Sequence, residues 1–197
     1  MGEIKSAREI AMEKIEKIGE LTEEEKLKWK YFPEGEKLAA RYLKHDADLA
    51  SEMAKLDKKI IKIILQGASD VLIKNITLPK DEISKANTKR AMDGLKLLKT
   101  DKAALENVYS KIKRVFSHYS EQGEQQRQQA YESLKAEYEQ KVMQALQKQL
   151  GSSASNLKID IEKQPGFLEE WHKLKSRLDV QYVHVLEEFK QELVGMR

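Results

Sequence analysis

The chain has 197 residues, enough for one or two domains and a sizeable core, with 36 Lys and Arg against 33 Asp and Glu and a net charge of +3. Charged residues make up 35% and aromatics only 7%, and Cys is absent, which excludes a disulfide framework, a thiolate metal site and a Cys nucleophile. Gly and Pro are few while Ala, Glu, Lys, Leu and Gln abound, so the expected fold is all-α: an elongated antiparallel helical bundle with long coiled-coil-like helices.

Ile4, Ala7, Ala11, Ile15 and Ile18 form a helical stripe, so a first helix is expected from about Glu3 to Ile18. Met1-Gly2 with Ser6 fits the short myristoylation template, but an ordinary helix start is the preferred reading. Thr22 and Glu25 have capping-box spacing, which predicts a second helix there, ended before Pro33 and followed by a turn at Pro33-Glu34-Gly35. Leu38, Tyr42, His45, Leu49, Met53, Leu56, Ile60, Ile63, Ala68 and Val71 then recur at mostly three and four spacing. They predict one long helix from about Glu36 to Ile76, although Lys59 to Leu65 and Val71 to Leu78 also carry the Ile and Val content of strands. Helix is preferred, because no hairpin turn separates the two runs.

These opening segments, EIKSAREIAMEKIEKIGELTEEEK followed by GEKLAARYL, resemble the start of a family of bacterial proteins of unknown function, helical throughout. The resemblance covers about the first 45 residues and implies a bacterial origin and no catalytic residue.

Leu78-Pro79-Lys80-Asp81 should close the long helix, with Asp81 as N-cap of the next. Ile83, Ala86, Ala91, Gly94, Leu95 and Leu98 carry that helix, and Thr100-Asp101 either caps a fresh helix or lies inside a continuous one. From Asp101 to Leu150 runs the most distinctive pattern. Leu105, Val108, Ile112, Val115 and Tyr119 form a seam, EQGEQQRQQ (residues 121–129) interrupts it, and Tyr131, Leu134, Tyr138, Val142, Leu146 and Leu150 resume it. Gly123 makes this polar middle either a hinge or a continuous exposed helix. Gly151 to Asn156 reads as a linker, giving a division into a long-helix bundle (1–150), a linker (151–166) and a C-terminal helix (167–197) packing back on the bundle, all expected to form one domain.

On that last helix Trp171, Leu178, Val185 and Phe189 share one face that must be buried, within the chain or against a partner, and they are the candidate partner-binding face. Residues 55–114 hold 15 Lys/Arg and 7 Asp/Glu, a local +8, and Lys55, Lys58, Lys59 and Lys62 are expected on one helical surface as a candidate anion-binding group. Lys85, Lys89, Arg90, Lys96, Lys99 and Lys102 line the next helix. Solvation or pairing within the bundle is the plainer reading of these lysines, and Tyr109, Phe116 and Tyr119 follow the seam as packing residues.

No catalytic set emerges. Glu169 and His172 have Glu-x-x-His spacing, but residues 42, 115 and 181 are Tyr, Val and Gln, so no other His completes a di-metal site. His45 with Asp46 and Asp48 reads as a solvated cluster, and His184 with Glu188 as a surface ion pair. Phosphate loops and a Gly-x-Ser-x-Gly elbow are missing. The expected function is a non-enzymatic scaffold or protein–protein interaction module, with another protein or a second copy as partner and no metal or cofactor. The alternative is a basic module binding nucleic acid or another anionic partner, and a metal-dependent bundle enzyme comes third. With no run near 18 apolar residues and no apolar signal core at the start, the expectation is a cytoplasmic protein without membrane contact.

Overall fold

The computed structural model describes residues 22–150 and 160–196, and among them every regular element is helical. They are α1 (Glu23–Leu43), α2 (Leu49–Met53), α3 (Ile61–Lys74), α4 (Glu82–Leu98), α5 (Lys102–Leu150) and α6 (Pro165–Gly195), with a 3-10 turn at Ile161–Lys163. The all-α expectation holds, and the strand reading of Lys59 to Leu78 does not. No described helix is long and apolar enough to cross a membrane. The expected first helix and most of the expected linker lie outside the described residues.

The chain divides into two compact units: Met1–Thr77, Lys85–Leu105 and Leu193–Arg197 form unit 1, and Leu78–Ser84 with Glu106–Glu192 form unit 2.

In unit 1, α1 starts on the expected capping box: the Thr22 amide donates to Glu25 Oε2 at 2.8 Å and the Glu25 amide to Thr22 Oγ1 at 3.3 Å. The helix does not stop at Pro33. It runs through to Leu43 because Gly35 serves a helix crossing instead of a turn. A Cβ on Gly35 would overlap the Ile64 carbonyl oxygen, and one on Gly67 the Phe32 carbonyl oxygen, so α1 and α3 touch backbone to backbone. Ala39 and Ala68, both fully buried, extend this small-residue seam. Packing along it offsets the hydrogen bond that Pro33 removes.

The single long helix expected from Glu36 to Ile76 is broken twice. His45 adopts a left-handed φ of 66°, its amide donates to the Tyr42 carbonyl at 3.0 Å, and the Asp46 amide donates to the Arg41 carbonyl at 2.9 Å. That is a Schellman closure with His in the place glycine usually fills. Asp48 then caps α2 through the Ser51 amide at 3.0 Å, and the Asp57 carboxylate accepts from the Lys59 amide at 2.8 Å in a turn ahead of α3. Short acidic side chains here offer the backbone local partners that compete with continuing the helix.

α3 and α4 run antiparallel, as expected for the region after Asp81. Leu72 meets Gly94, where an added Cβ would lie 2.9 Å from Leu72 Cδ1, while the buried Thr88 hydroxyl accepts from the Thr77 amide at 3.0 Å. Tyr42 joins them, its carbonyl accepting from Arg90 Nε at 2.6 Å with the guanidinium 4.3 Å from the ring centroid. The open question at Thr100 is answered by the Ala104 amide, which donates to Asp101 Oδ1 at 2.9 Å, so Asp101 caps a fresh helix.

Unit 2 begins with Asp81 capping α4: the Ser84 amide donates to Asp81 Oδ1 at 2.7 Å. Its body is α5 and α6, packed antiparallel. Lys111 reaches Glu192 at 2.8 Å, Tyr119 packs on Tyr182, Tyr131 on Trp171, and Tyr138 on Phe167. α5 is one helix of 49 residues with no hinge at Gly123. The polar stretch is not polar all round: Gly123 and Arg127 continue the seam of Tyr119 at four-residue steps and are buried.

Candidate functional site

Among the described residues, polar groups are drawn out of solvent in a cleft of unit 1 and in a charge cluster of unit 2. In unit 1, α1, α3, the end of α4 and the last residues before the terminus enclose a cleft of about 1160 Å³. Trp29, Phe32, Leu65, Ile73 and Leu98 form its apolar walls, and Glu25, Lys28, Lys62 and Asp70 also line it. Trp29 is 70% exposed, an unusual surface position for the largest side chain.

Two polar groups of this cleft are buried. Ser69 is 7% exposed and its hydroxyl has no hydrogen-bond partner, although a helical Ser commonly bonds back to its own preceding turn. Lys99 is also 7% exposed and donates to the Met196 carbonyl at 2.7 Å. Burial pushes the Lys99 amine below the usual lysine range, and no carboxylate pairs with it among the described residues. Expected on the solvated surface of α4, Lys99 is instead an interior cation. By contrast Lys102 reaches back to the Lys96 and Lys99 carbonyls and satisfies the end of α4.

Unit 2 holds a buried charge cluster. Arg127 Nη1 lies 3.4 Å from Asp179 Oδ1, Nη2 donates to the Tyr119 carbonyl at 3.1 Å, and Glu124 pairs with Nη2 at 2.7 Å. Lys80 Nζ approaches Asp179 Oδ2 at 3.0 Å, and Tyr119 Oη donates to the same oxygen at 3.4 Å. The Arg127 guanidinium stacks 4.1 Å from the Tyr119 ring centroid, and Tyr182 Oη lies 3.0 Å from His118 Nδ1. Burial, then the Asp179 charge, pushes the Tyr119 phenol up to about 12. Each charge has its counter-charge within the cluster, so this arrangement clamps α5 to α6.

The residues expected to carry function are dispersed. Trp171, Leu178 and Phe189 are half-buried in unit 2, whereas Val185 is 37% exposed and Leu186 fills the inward position expected for it. Lys55, Lys58 and Lys59 lie on the turns between α2 and α3, and only Lys62 is helical, so no helical surface unites the four. Lys55 pairs with Glu52 at 2.9 Å. Glu169 pairs with Lys173 at 2.5 Å, and among the described residues no group of three His, Asp or Glu is placed to hold a metal. His184 and Glu188 form the expected ion pair, at 3.4 Å.

Sequence reasoning passed over Trp29, Ser69, Arg127 and Asp179. Arg127 and Asp179 had a signal, since continuing the seam by fours through the polar stretch puts Arg127 inward. Ser69 and Trp29 had none beyond composition.

Comparison with curated proteins finds no match, and comparison with solved structures finds none either. Residues 50–195 match a family of unknown function, DUF6657, a span that lies beyond the opening segment carrying the resemblance described above. The match takes in the charge cluster and the α3, α4 and C-terminal walls of the cleft, and over this span the chain belongs to that family of unknown function.

Proposed function

We propose that the protein is a non-enzymatic interaction module whose contact surface is the outer side of α6. The observation that carries this reading is a pair of β-branched residues: Val180 and Val183, one turn apart and off the Asp179–Tyr182–Leu186 stripe, are 61% and 43% exposed. α5 packs on the inward face of α6, at Trp171 among others, so the contact surface proposed here is the neighbouring outward side and not the expected Trp171, Leu178, Val185 and Phe189. A second copy of the chain is the first partner to test. Light scattering across a concentration range should give a mass above the monomer, and Val180→Asp with Val183→Asp should give a folded protein of monomer mass. A wild-type protein that stays monomeric at every concentration sinks the self-association reading.

A second reading has one observation in its favour. Lys58, Lys59 and Lys62 are exposed, and none pairs with a carboxylate among the described residues. Nucleic-acid binding through them would weaken steeply with salt, and its absence at low salt would remove this reading.

A further inference from the structure

The unit 1 cleft presents more positive charge than it neutralises. Of its two acidic lining residues, Glu25 is engaged by the Thr22 amide and hydroxyl, and Asp70 pairs with Lys74 at 2.6 Å. Lys28, Lys62 and Lys99 pair with no carboxylate among the described residues. An interior cation without an anion is costly, and a buried hydroxyl without a partner adds to that cost. Both costs fall if a ligand brings an anionic head into the cleft. Lys99 uses one of its three N–H groups on Met196, Ser69 has a free donor, and both residues line the cleft, so each has donor capacity left for an anionic head. The remaining walls are apolar and aromatic. Ligand pockets run to roughly 300–1,000 Å³, and this cleft is as roomy as the largest of them, space enough for an acyl chain.

We propose that the unit 1 cleft binds a long-chain fatty acid, with the acyl chain against Trp29, Phe32, Leu65 and Leu98 and the carboxylate held by Lys99 and Ser69. This goes beyond the interaction reading, which concerns α6 in unit 2, and neither rests on the other. Lys28 and Lys62 add a positive surround that favours anionic over neutral or cationic amphiphiles.

The chain has two Trp, so Trp171→Phe leaves Trp29 as the sole indole reporter in an otherwise unchanged chain. Titrating hexadecanoate below its aggregation threshold should shift Trp29 emission to the blue, saturably and at one ligand per chain. Hexadecan-1-ol and hexadecyltrimethylammonium, of equal chain length, should bind at least tenfold more weakly. In the same background Lys99→Met should lower hexadecanoate affinity tenfold or more and leave the alcohol unchanged, with folding checked by circular dichroism. If that variant does not fold, Ser69→Ala and the exposed Lys62→Gln carry the test, each expected to lower hexadecanoate affinity several-fold. The proposal is overturned if hexadecanoate gives no saturable shift. It is equally overturned if the three amphiphiles bind alike, or if all these variants match the parent, since an exposed Trp29 would then be taking up surfactant without a carboxylate site.

Discussion

Lys99 in unit 1 and Arg127 in unit 2 are both long cationic side chains taken out of water, and they are treated in opposite ways. Arg127 is enclosed by Asp179, Glu124 and the Tyr119 carbonyl and ring, and Lys80 joins it on Asp179. Among the described residues Lys99 meets a single backbone carbonyl. A planar guanidinium suits the first setting because its fork satisfies several acceptors at once, whereas an ammonium of adjustable pKa suits the second. One buried cation holds two helices together, and the other has no carboxylate partner among the described residues.

The largest effect should follow from breaking the matched cluster. Asp179→Ala leaves Arg127 and Lys80 without their shared carboxylate, and removing one partner of a buried ion pair costs about 3–5 kcal/mol. Urea unfolding should show the midpoint falling accordingly. Replacing both partners, Arg127→Met with Asp179→Leu, should recover most of the loss. A single variant within 1 kcal/mol of wild type would show that water reaches the cluster.

The glycines extend the contrast between the units. Gly67→Ala sets a methyl against the Phe32 backbone carbonyl, which cannot move without displacing α1, and overpacking of this kind costs about 1–3 kcal/mol or more. Gly123→Ala meets only side-chain atoms, Tyr182 Oη at 3.1 Å and Arg127 Nη1 at 3.2 Å. These can yield, and Ala gains about 1 kcal/mol of helix propensity over Gly. Thermal denaturation should therefore rank Gly67→Ala well below wild type and Gly123→Ala close to it. Equal losses would mean that the seam between α1 and α3 is looser than its backbone contact implies.

Legibility in the sequence followed the range of the forces. Local signals are plain in the sequence: the Thr22–Glu25 box, the Asp81 cap and the apolar stripe of α5 depend on residues within one turn of each other. The errors came where a distant contact reversed a local preference. Pro33 and Gly35 look like a turn until α3 supplies a backbone against which Gly35 is needed. His45 sits on an apolar stripe by spacing, yet it takes the left-handed position that ends α1. The polar stretch at residues 121–129 reads as solvated because its partner, Asp179, is more than fifty residues away in sequence. The cleft was illegible for the same reason, since its lining is drawn from four separated stretches and its one buried hydroxyl without a partner is an ordinary Ser.

The phenol inside the charge cluster gives a smaller effect with a defined sign. An ordinary Tyr ionises near 10, whereas Tyr119 holds its proton up to about 12. Between those values the folded state binds more protons than the unfolded state, so this group's contribution to stability falls as pH rises, at no more than about 1.4 kcal/mol per pH unit. Tyr119→Phe removes the titration. Stability measured from pH 9 to 11.5 should show the difference between the variant and wild type moving in favour of Phe, and a difference independent of pH would place the phenol in solvent.

Lys99→Met should have the smallest net effect, because two terms oppose each other. The substitution removes the cost of keeping an ammonium away from water and loses its hydrogen bond to the Met196 carbonyl, and each is about 1–3 kcal/mol. At neutral pH the variant should lie within about 1 kcal/mol of wild type, the near balance of those terms. The pH dependence runs opposite to that of Tyr119. With its pKa lowered by burial, Lys99 in the folded state releases its proton before the unfolded chain does, so in the window just below the ordinary lysine value wild-type stability gains from rising pH. The variant should lack that gain. Stability curves for both proteins from pH 7 to 10.5 decide the matter: a loss of 3 kcal/mol or more at pH 7 would mean that Lys99 already has an anion, and the contrast with Arg127 would collapse.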